Sequence, residues 1–264
     1  MKMSLARIKA MLLGEYFITI NSYEVINDVI IYPLWSIIVF GFLTIYLSGI
    51  GNGVVSNYVL LGTILWQAIN ITQYSIAVGT LWEVWSRNLT NIFISPISNY
   101  EYLVAYTVSG ILKSLFVISI GSIMSYYVFR FNILDLGLIN LALHFMNFTL
   151  FAFSLGIFIL GLLFRFGTRI QAFSWGLITF FQPLMAVIYP VSVLPRPLQF
   201  IAWILPPTYV FEAARVNVTD QSIQWASVIT AFLLNVVFVA GAVAFFNAMF
   251  EESKKIGQFA RLEG

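Results

Sequence analysis

Residues 29–82 read VIIYPLWSIIVFGFLTIYLSGIGNGVVSNYVLLGTILWQAINITQYSIAVGTLW, a run without one Asp, Glu, Lys or Arg. A helix needs about 20 mostly apolar residues to cross a bilayer core. The run is too long for one crossing and long enough for two. The cluster Gly49-Ile-Gly-Asn-Gly53 supplies the turn, which puts spans at 30–47 and 57–78. The whole chain shares the bias: 264 residues, 60% hydrophobic and 9% charged, where a soluble domain is about a quarter charged. So little charge excludes a soluble fold. Helices satisfy their own backbone in lipid, and the alternation of about ten-residue β-barrel strands is absent.

Four further spans follow. One covers 102–129 and is interrupted only by Lys113; the next covers 136–164 and ends at the basic turn Arg165-Phe-Gly-Thr-Arg169. A fifth is expected over 170–193 and a sixth over 223–250. Between them lie Leu194-Pro-Arg-Pro197, the short apolar stretch 198–205 and Pro206-Pro207. That stretch is too short to cross and reads as a re-entrant or interfacial pair of short helices. The expected architecture is all-α: one membrane domain over 1–264, with residues 1–28 interfacial, six spans over 29–250 and a charged tail over 251–264. Within the first part, Leu5, Ile8, Leu12 and Tyr16 recur at helical spacing, as in a helix lying in the interface. The uncharged stretch 10–14 is too short for the apolar core of a signal peptide.

Six spans put both termini on one side. Lys2, Arg7, Lys9, Arg87, Arg165, Arg169, Lys254, Lys255 and Arg261 fall there, against Arg130, Arg196 and Arg215 opposite. Basic residues mark the cytoplasmic side, so both termini are expected in the cytoplasm. The segment 194–220 then faces outward.

A polar island, Gly79-Thr-Leu-Trp-Glu-Val-Trp-Ser-Arg-Asn-Leu-Thr-Asn-Ile-Phe-Ile-Ser-Pro-Ile-Ser-Asn-Tyr-Glu101, separates the second and third spans. From Leu81, the residues Trp82, Trp85, Leu89, Ile92 and Phe93 recur every three or four positions, and Glu83 and Arg87 stand at i,i+4. The spacing predicts an amphipathic helix over 81–93, stopped before Ser95-Pro96. It either docks on a cytoplasmic partner or lies on lipid headgroups. Polar residues inside spans are expensive. Lys113 either lines a path, pairs with a carboxylate or reaches an interface, the last being favoured. His144 is expected as a packed or interfacial residue. Gln67, Asn70, Gln73 and Gln182 are either path-lining or interhelical partners. Glu212 and Arg215 form either an outer gate or an exposed loop pair.

The chain has no Gly-x-x-x-x-Gly-Lys-Ser/Thr phosphate loop, so any ATP energy must come from another chain. It has no cysteine and a single histidine, which excludes thiol chemistry and a histidine metal cluster.

The order of elements, with Gly79-Thr-Leu-Trp-Glu83, Arg87, Ile94-Ser-Pro-Ile97, Tyr189-Pro-Val-Ser-Val-Leu-Pro195, Ile204-Leu-Pro-Pro-Thr-Tyr209 and Glu212-Ala-Ala-Arg215, resembles the membrane subunit of type 2 ABC exporters. That family exports drugs, lipids, lipo-oligosaccharides and polysaccharides. The resemblance implies a permease of the inner or plasma membrane, not itself an enzyme and binding no cofactor or metal. ATP-Mg would sit on a separate cytoplasmic ABC ATPase. A second permease copy, in a homodimer, and membrane lipid are the other partners; nucleic acid is not one. It gives the coupling role, contact with the ATPase, to Glu83, Trp85, Arg87 and Asn88. Pro206, Pro207, Glu212 and Arg215 fall in the re-entrant region. Tyr32, Trp35, Gln182 and Lys113 become path-lining candidates, on the first and fifth spans chiefly. The segment Asp28-Val-Ile-Ile-Tyr-Pro33-Leu-Trp35 keeps only a Trp of the polysaccharide branch's Leu-Gly-x-x-Trp element, which leaves drug and lipid branches open. A non-energised scaffold subunit is the alternative. A secondary transporter fits less well without buried carboxylates in its spans.

Overall fold

A computed structural model describes residues 3–50 and 53–255, all helix and connecting turns with no strand among them. Position 51–52 of the expected Gly-rich turn, Lys2 and the tail from 256, Arg261 included, lie outside the described residues. Helix α1 (Leu5–Asn21) ends at Ser22, whose hydroxyl accepts from the Val25 amide and starts α2 (Tyr23–Ile26). A π-helical turn (Asn27–Ile31) joins α2 to α3 (Tyr32–Ile50), so that Tyr23–Ile50 is one rod. Then come α4 (Gly53–Trp85), the short α5 (Leu89–Ile94) and α6 (Asn99–Phe129). Helix α7 (Leu138–Phe166) leads through a 3-10 turn to α8 (Phe173–Leu184). The short α9 (Arg196–Ala202) and α10 (Pro206–Asn217) precede α11 (Trp225–Lys255).

Four of the described helices are long and apolar enough to cross a membrane: Tyr23–Ile50, Asn99–Phe129, Leu138–Ile170 and Trp225–Lys255. Helix α4 has 33 residues, about 50 Å at 1.5 Å per residue. It carries Gln67, Asn70, Thr72, Gln73 and Ser75 along its middle. These side chains are tolerable because α4 lies inside the bundle. Leu60, Ile64 and Ile69 of α4 pack with Phe148, Phe151 and Ile159 of α7 in one buried cluster. Around this α4–α7 centre stand α3, α6, α10 and α11. The apolar stretch of α7 is 78% buried and that of α11 only 22%, so most of the apolar surface of α11 is left outside the bundle. Asn235 of α11 donates to the Asn147 backbone and side-chain oxygens of α7 at 3.0 and 3.1 Å, a polar clasp between two apolar helices.

The expected continuous span over 170–193 does not form. Pro183 has no N–H to extend the helical ladder, α8 stops at Leu184, and Ala186 turns the chain at a left-handed φ of 53°. Helix α8 has 12 residues, about 18 Å, against a hydrocarbon core of about 30 Å. The broken region therefore begins at Met185 rather than at Leu194.

Candidate functional site

The polar island is not one helix over 81–93. Helix α4 continues through Trp85, the chain breaks at Ser86–Asn88 with Arg87 at φ 56°, and α5 follows. A non-glycine residue in the left-handed region costs about 1–2 kcal/mol, and two contacts hold it there. The Asn88 amide group donates to Glu83 Oε2 at 2.7 Å, and Leu89 is buried at 1% exposure. Glu83 is turned inward, where the Tyr106 hydroxyl of α6 donates to its Oε1 at 2.9 Å. Gly79 makes this approach possible, since a Cβ there would stand 2.7 Å from the Tyr106 ring. The exposed Glu83–Arg87 pair is thus replaced by a buried anchor at Glu83 and an outward Arg87. Trp85 is 43% exposed and stacks on Trp175 of α8, centroids 6.0 Å apart. Asn91, Ile94 and Pro96 extend the exposed face; the Thr90 and Phe93 side chains lie outside the described residues.

A second set of polar contacts fixes α1 to α6. At one end Arg7 binds Glu101 through Nη2 at 2.7 Å and Nε at 2.9 Å, and the Ser4 amide donates to the same carboxylate. Glu101 also completes the capping box of α6 with Ser98. At the other end Lys113 Nζ meets Glu15 Oε2 at 2.9 Å, with side-chain exposures of 13% and 5%. Lys113 therefore pairs with a carboxylate, and α1 packs against α6. With Tyr106 on Glu83 and the Tyr102 hydroxyl on Thr80, helix α6 is tied to α1 on one side and to the end of α4 on the other.

The broken segment is held by one guanidinium. Arg215 Nη2 donates to the Ala186 carbonyl and to that of Val187, the latter at 3.1 Å, while Nη1 lies 3.0 Å from Glu212 Oε1. Glu212 Oε1 in turn accepts from the Val191 amide at 2.7 Å. The Glu212–Arg215 pair is thus an internal clamp on residues 186–191, not an exposed loop pair. Pro206 and Pro207 are buried at the start of α10, where their missing N–H groups cost nothing. Gly62 of α4 receives the turn: a Cβ there would collide with the Val187 carbonyl oxygen. His144 is packed at 1% exposure, with Nε2 3.0 Å from Asn217 Oδ1.

Two cavities open beside these elements. The larger, about 900 Å³, is an apolar cleft between the far halves of α6 and α7. The smaller, about 400 Å³, lies between the π-helical turn, α4 and α8, and is lined by Asp28, Tyr32, Asn70, Gln73, Trp175 and their neighbours. Of the four path-lining candidates only Tyr32 lines it. Trp35 stands outside at 59% exposure, Gln182 is half-buried beyond it on α8, and Lys113 is engaged by Glu15. Sequence reasoning passed over Asp28, Glu15 and Glu101. Asp28 and Glu101 were signalled only by position, near the starts of apolar helices, and Glu15 only as a lone carboxylate within α1.

The family model described as ABC-2 type transporter matches residues 9–219. The match takes in α2 through α10 and most of α1, and so includes the island, the clamp and both cavities. No curated relative matches the sequence.

Proposed function

Because the chain belongs to the ABC-2 type transporter family, we propose that it is the membrane-embedded subunit of an ATP-driven exporter, with a separate cytoplasmic ATPase as its motor. In this reading α4 and the α8–α10 region provide the two crossings beyond the four long apolar helices, both termini are cytoplasmic, and the chain sits in the inner or plasma membrane. Two copies form the path along α3 and α8. The observation that carries the reading is the anchored break after α4. Trp85, Arg87 and α5 present a short exposed face, and Glu83 ties its root to α6 through Tyr106. A force applied at that face reaches α6, and through Lys113 and Glu101 it reaches α1, without passing through a flexible joint. The substrate is amphipathic, and the path holds no cofactor.

The test is co-purification with the cognate ATPase, a chain recognisable by its phosphate-binding loop, using Arg87→Glu and Trp85→Ala. Both side chains are exposed enough for the fold to survive. Each substitution is expected to weaken association at least tenfold and to uncouple substrate-stimulated ATP hydrolysis. Association and coupling that survive both changes would overturn the assignment.

A further inference from the structure

The smaller cavity has one carboxyl side chain in its lining, Asp28, on the π-helical turn near the start of the first rod. Single π-helical turns inside α-helices concentrate at functional sites. Asp28 is half-buried, and its contacts are two neutral donors: the Tyr74 hydroxyl at 3.0 Å and the Asn27 amide at 3.3 Å. Among the described residues no Lys, Arg or His stands within 4.0 Å of it. Glu15, Glu101 and Glu212 each have a cation; Glu83, like Asp28, is met by neutral donors, but of the two only Asp28 lines this cavity. A carboxylate at the edge of a membrane protein, without a protein counter-ion, creates a local demand for positive charge.

The walls fit the same demand. Tyr32, Tyr74 and Trp175 offer three aromatic rings, whose faces attract a cation. Gln73 is held by its bond to the Ser174 carbonyl at 3.1 Å. Ser174 is among the lining residues, is 1% exposed, and its hydroxyl has no partner within the protein. About 400 Å³ is within the range of small-ligand pockets. Trp175, on the wall, also stacks on Trp85 of the island, which links the cavity to that element.

We propose that this cavity binds an organic ammonium group: a cationic head on an apolar body, with Asp28 as counter-ion, Tyr32, Tyr74 and Trp175 as aromatic walls and Ser174 as a polar contact. Anionic heads are rejected by the same carboxylate. The proposal rests on the exporter reading only for its meaning as a substrate site; the binding itself does not depend on the ATPase.

The experiment is equilibrium dialysis of radiolabelled benzyltrimethylammonium against the purified full chain in maltoside micelles. Neopentylbenzene, of the same shape without charge, and benzylsulfonate, an anion, are the competitors. Saturable cation binding is expected, with benzylsulfonate unable to displace it. Asp28→Asn should weaken it at least tenfold while leaving neopentylbenzene binding unchanged. Tyr32→Leu, at a position 66% exposed, should weaken it two- to fivefold, as expected for loss of one aromatic face. Monodispersity on size exclusion checks each variant; if Asp28→Asn fails to fold, the charge series on the wild type and Tyr32→Leu decide. Dihexanoylphosphatidylcholine as a further competitor separates sources. Displacement at lower concentration than benzyltrimethylammonium itself identifies a lipid headgroup, and weaker displacement identifies a free cation; both uphold ammonium recognition. No saturable binding, equal displacement by the anion, or equal binding to wild type and Asp28→Asn would overturn the proposal. Such a failure with ATPase association intact leaves the exporter reading standing, and loss of association with cation binding intact does the reverse.

Discussion

Replacing Gly62 by Ala tests whether the broken segment is seated on α4 as described. The added Cβ falls on the Val187 carbonyl oxygen, with the Val187 carbonyl carbon at 2.8 Å and Ile188 Cα at 3.4 Å. These are backbone atoms and cannot rotate away, so the turn itself must move. Overpacking of this kind costs about 1–3 kcal/mol. Moving the turn also pulls the Ala186 and Val187 carbonyls from Arg215, and one hydrogen bond to a charged group is worth about 1.5–3 kcal/mol. Ala is favoured over Gly in a helix by up to about 1 kcal/mol. The net loss is therefore about 1.5–5 kcal/mol, a fall in Tm of about 3–9 °C at the usual entropy of unfolding for a chain of this length. Differential scanning fluorimetry of the detergent-purified chain measures it. Gly241→Ala and Gly176→Ala are internal controls, because a Cβ at either position meets nothing within 4 Å; both should melt at or slightly above wild type. A Gly62→Ala variant that melts with the wild type would refute the seating of the turn and, with it, the clamp.

Breaking the Lys113–Glu15 pair from one side should cost about 3–5 kcal/mol, since it strands a buried charge. Lys113→Met and Glu15→Gln are therefore each expected to reduce folded yield severely, and the double variant to recover most of it; a double variant no better than the worse single would show that the two do not pair. Arg7→Ala leaves Glu101 with its backbone donors and should free the start of α1 from α6, which limited proteolysis reads as faster cleavage near residue 5. Unchanged cleavage would mean that the ion pair does not hold α1. Asn235→Leu removes the clasp to Asn147, and a loss of about 0.6–1.7 kcal/mol is expected in thermal unfolding; a stabilised variant would refute an energetic role for the clasp.

The class of fold was legible because composition and the uncharged run admit nothing but membrane helices. Broken backbone before the last long helix was also readable from Pro195, Pro197, Pro206 and Pro207, although Pro183 moved its start back to Met185. The direction in which polar faces point was not. Glu83 was placed on the outside of an amphipathic helix by the rule for helices in water. In a lipid-facing bundle the rule inverts, and the polar side turns to the interior, where Tyr106 and Asn88 receive it. Lys113 and Glu15 are 98 positions apart, and no periodicity reports a contact at that range. Asp28 was overlooked because a carboxylate at the end of an apolar stretch is ordinary, and only the shape around it sets it apart.

The pairing of Lys113 with Glu15 also bears on how the protein is made. An ammonium near the middle of α6 adds about 2.5–3.5 kcal/mol to the cost of placing that helix in a bilayer. Its neutralising partner belongs to a helix synthesised nearly a hundred residues earlier, with two long helices between them. Helix α1 is therefore expected to aid the insertion of a later segment of its own chain. Deleting it should show first during biogenesis, as failed integration of α6, before any finished transporter exists to be tested.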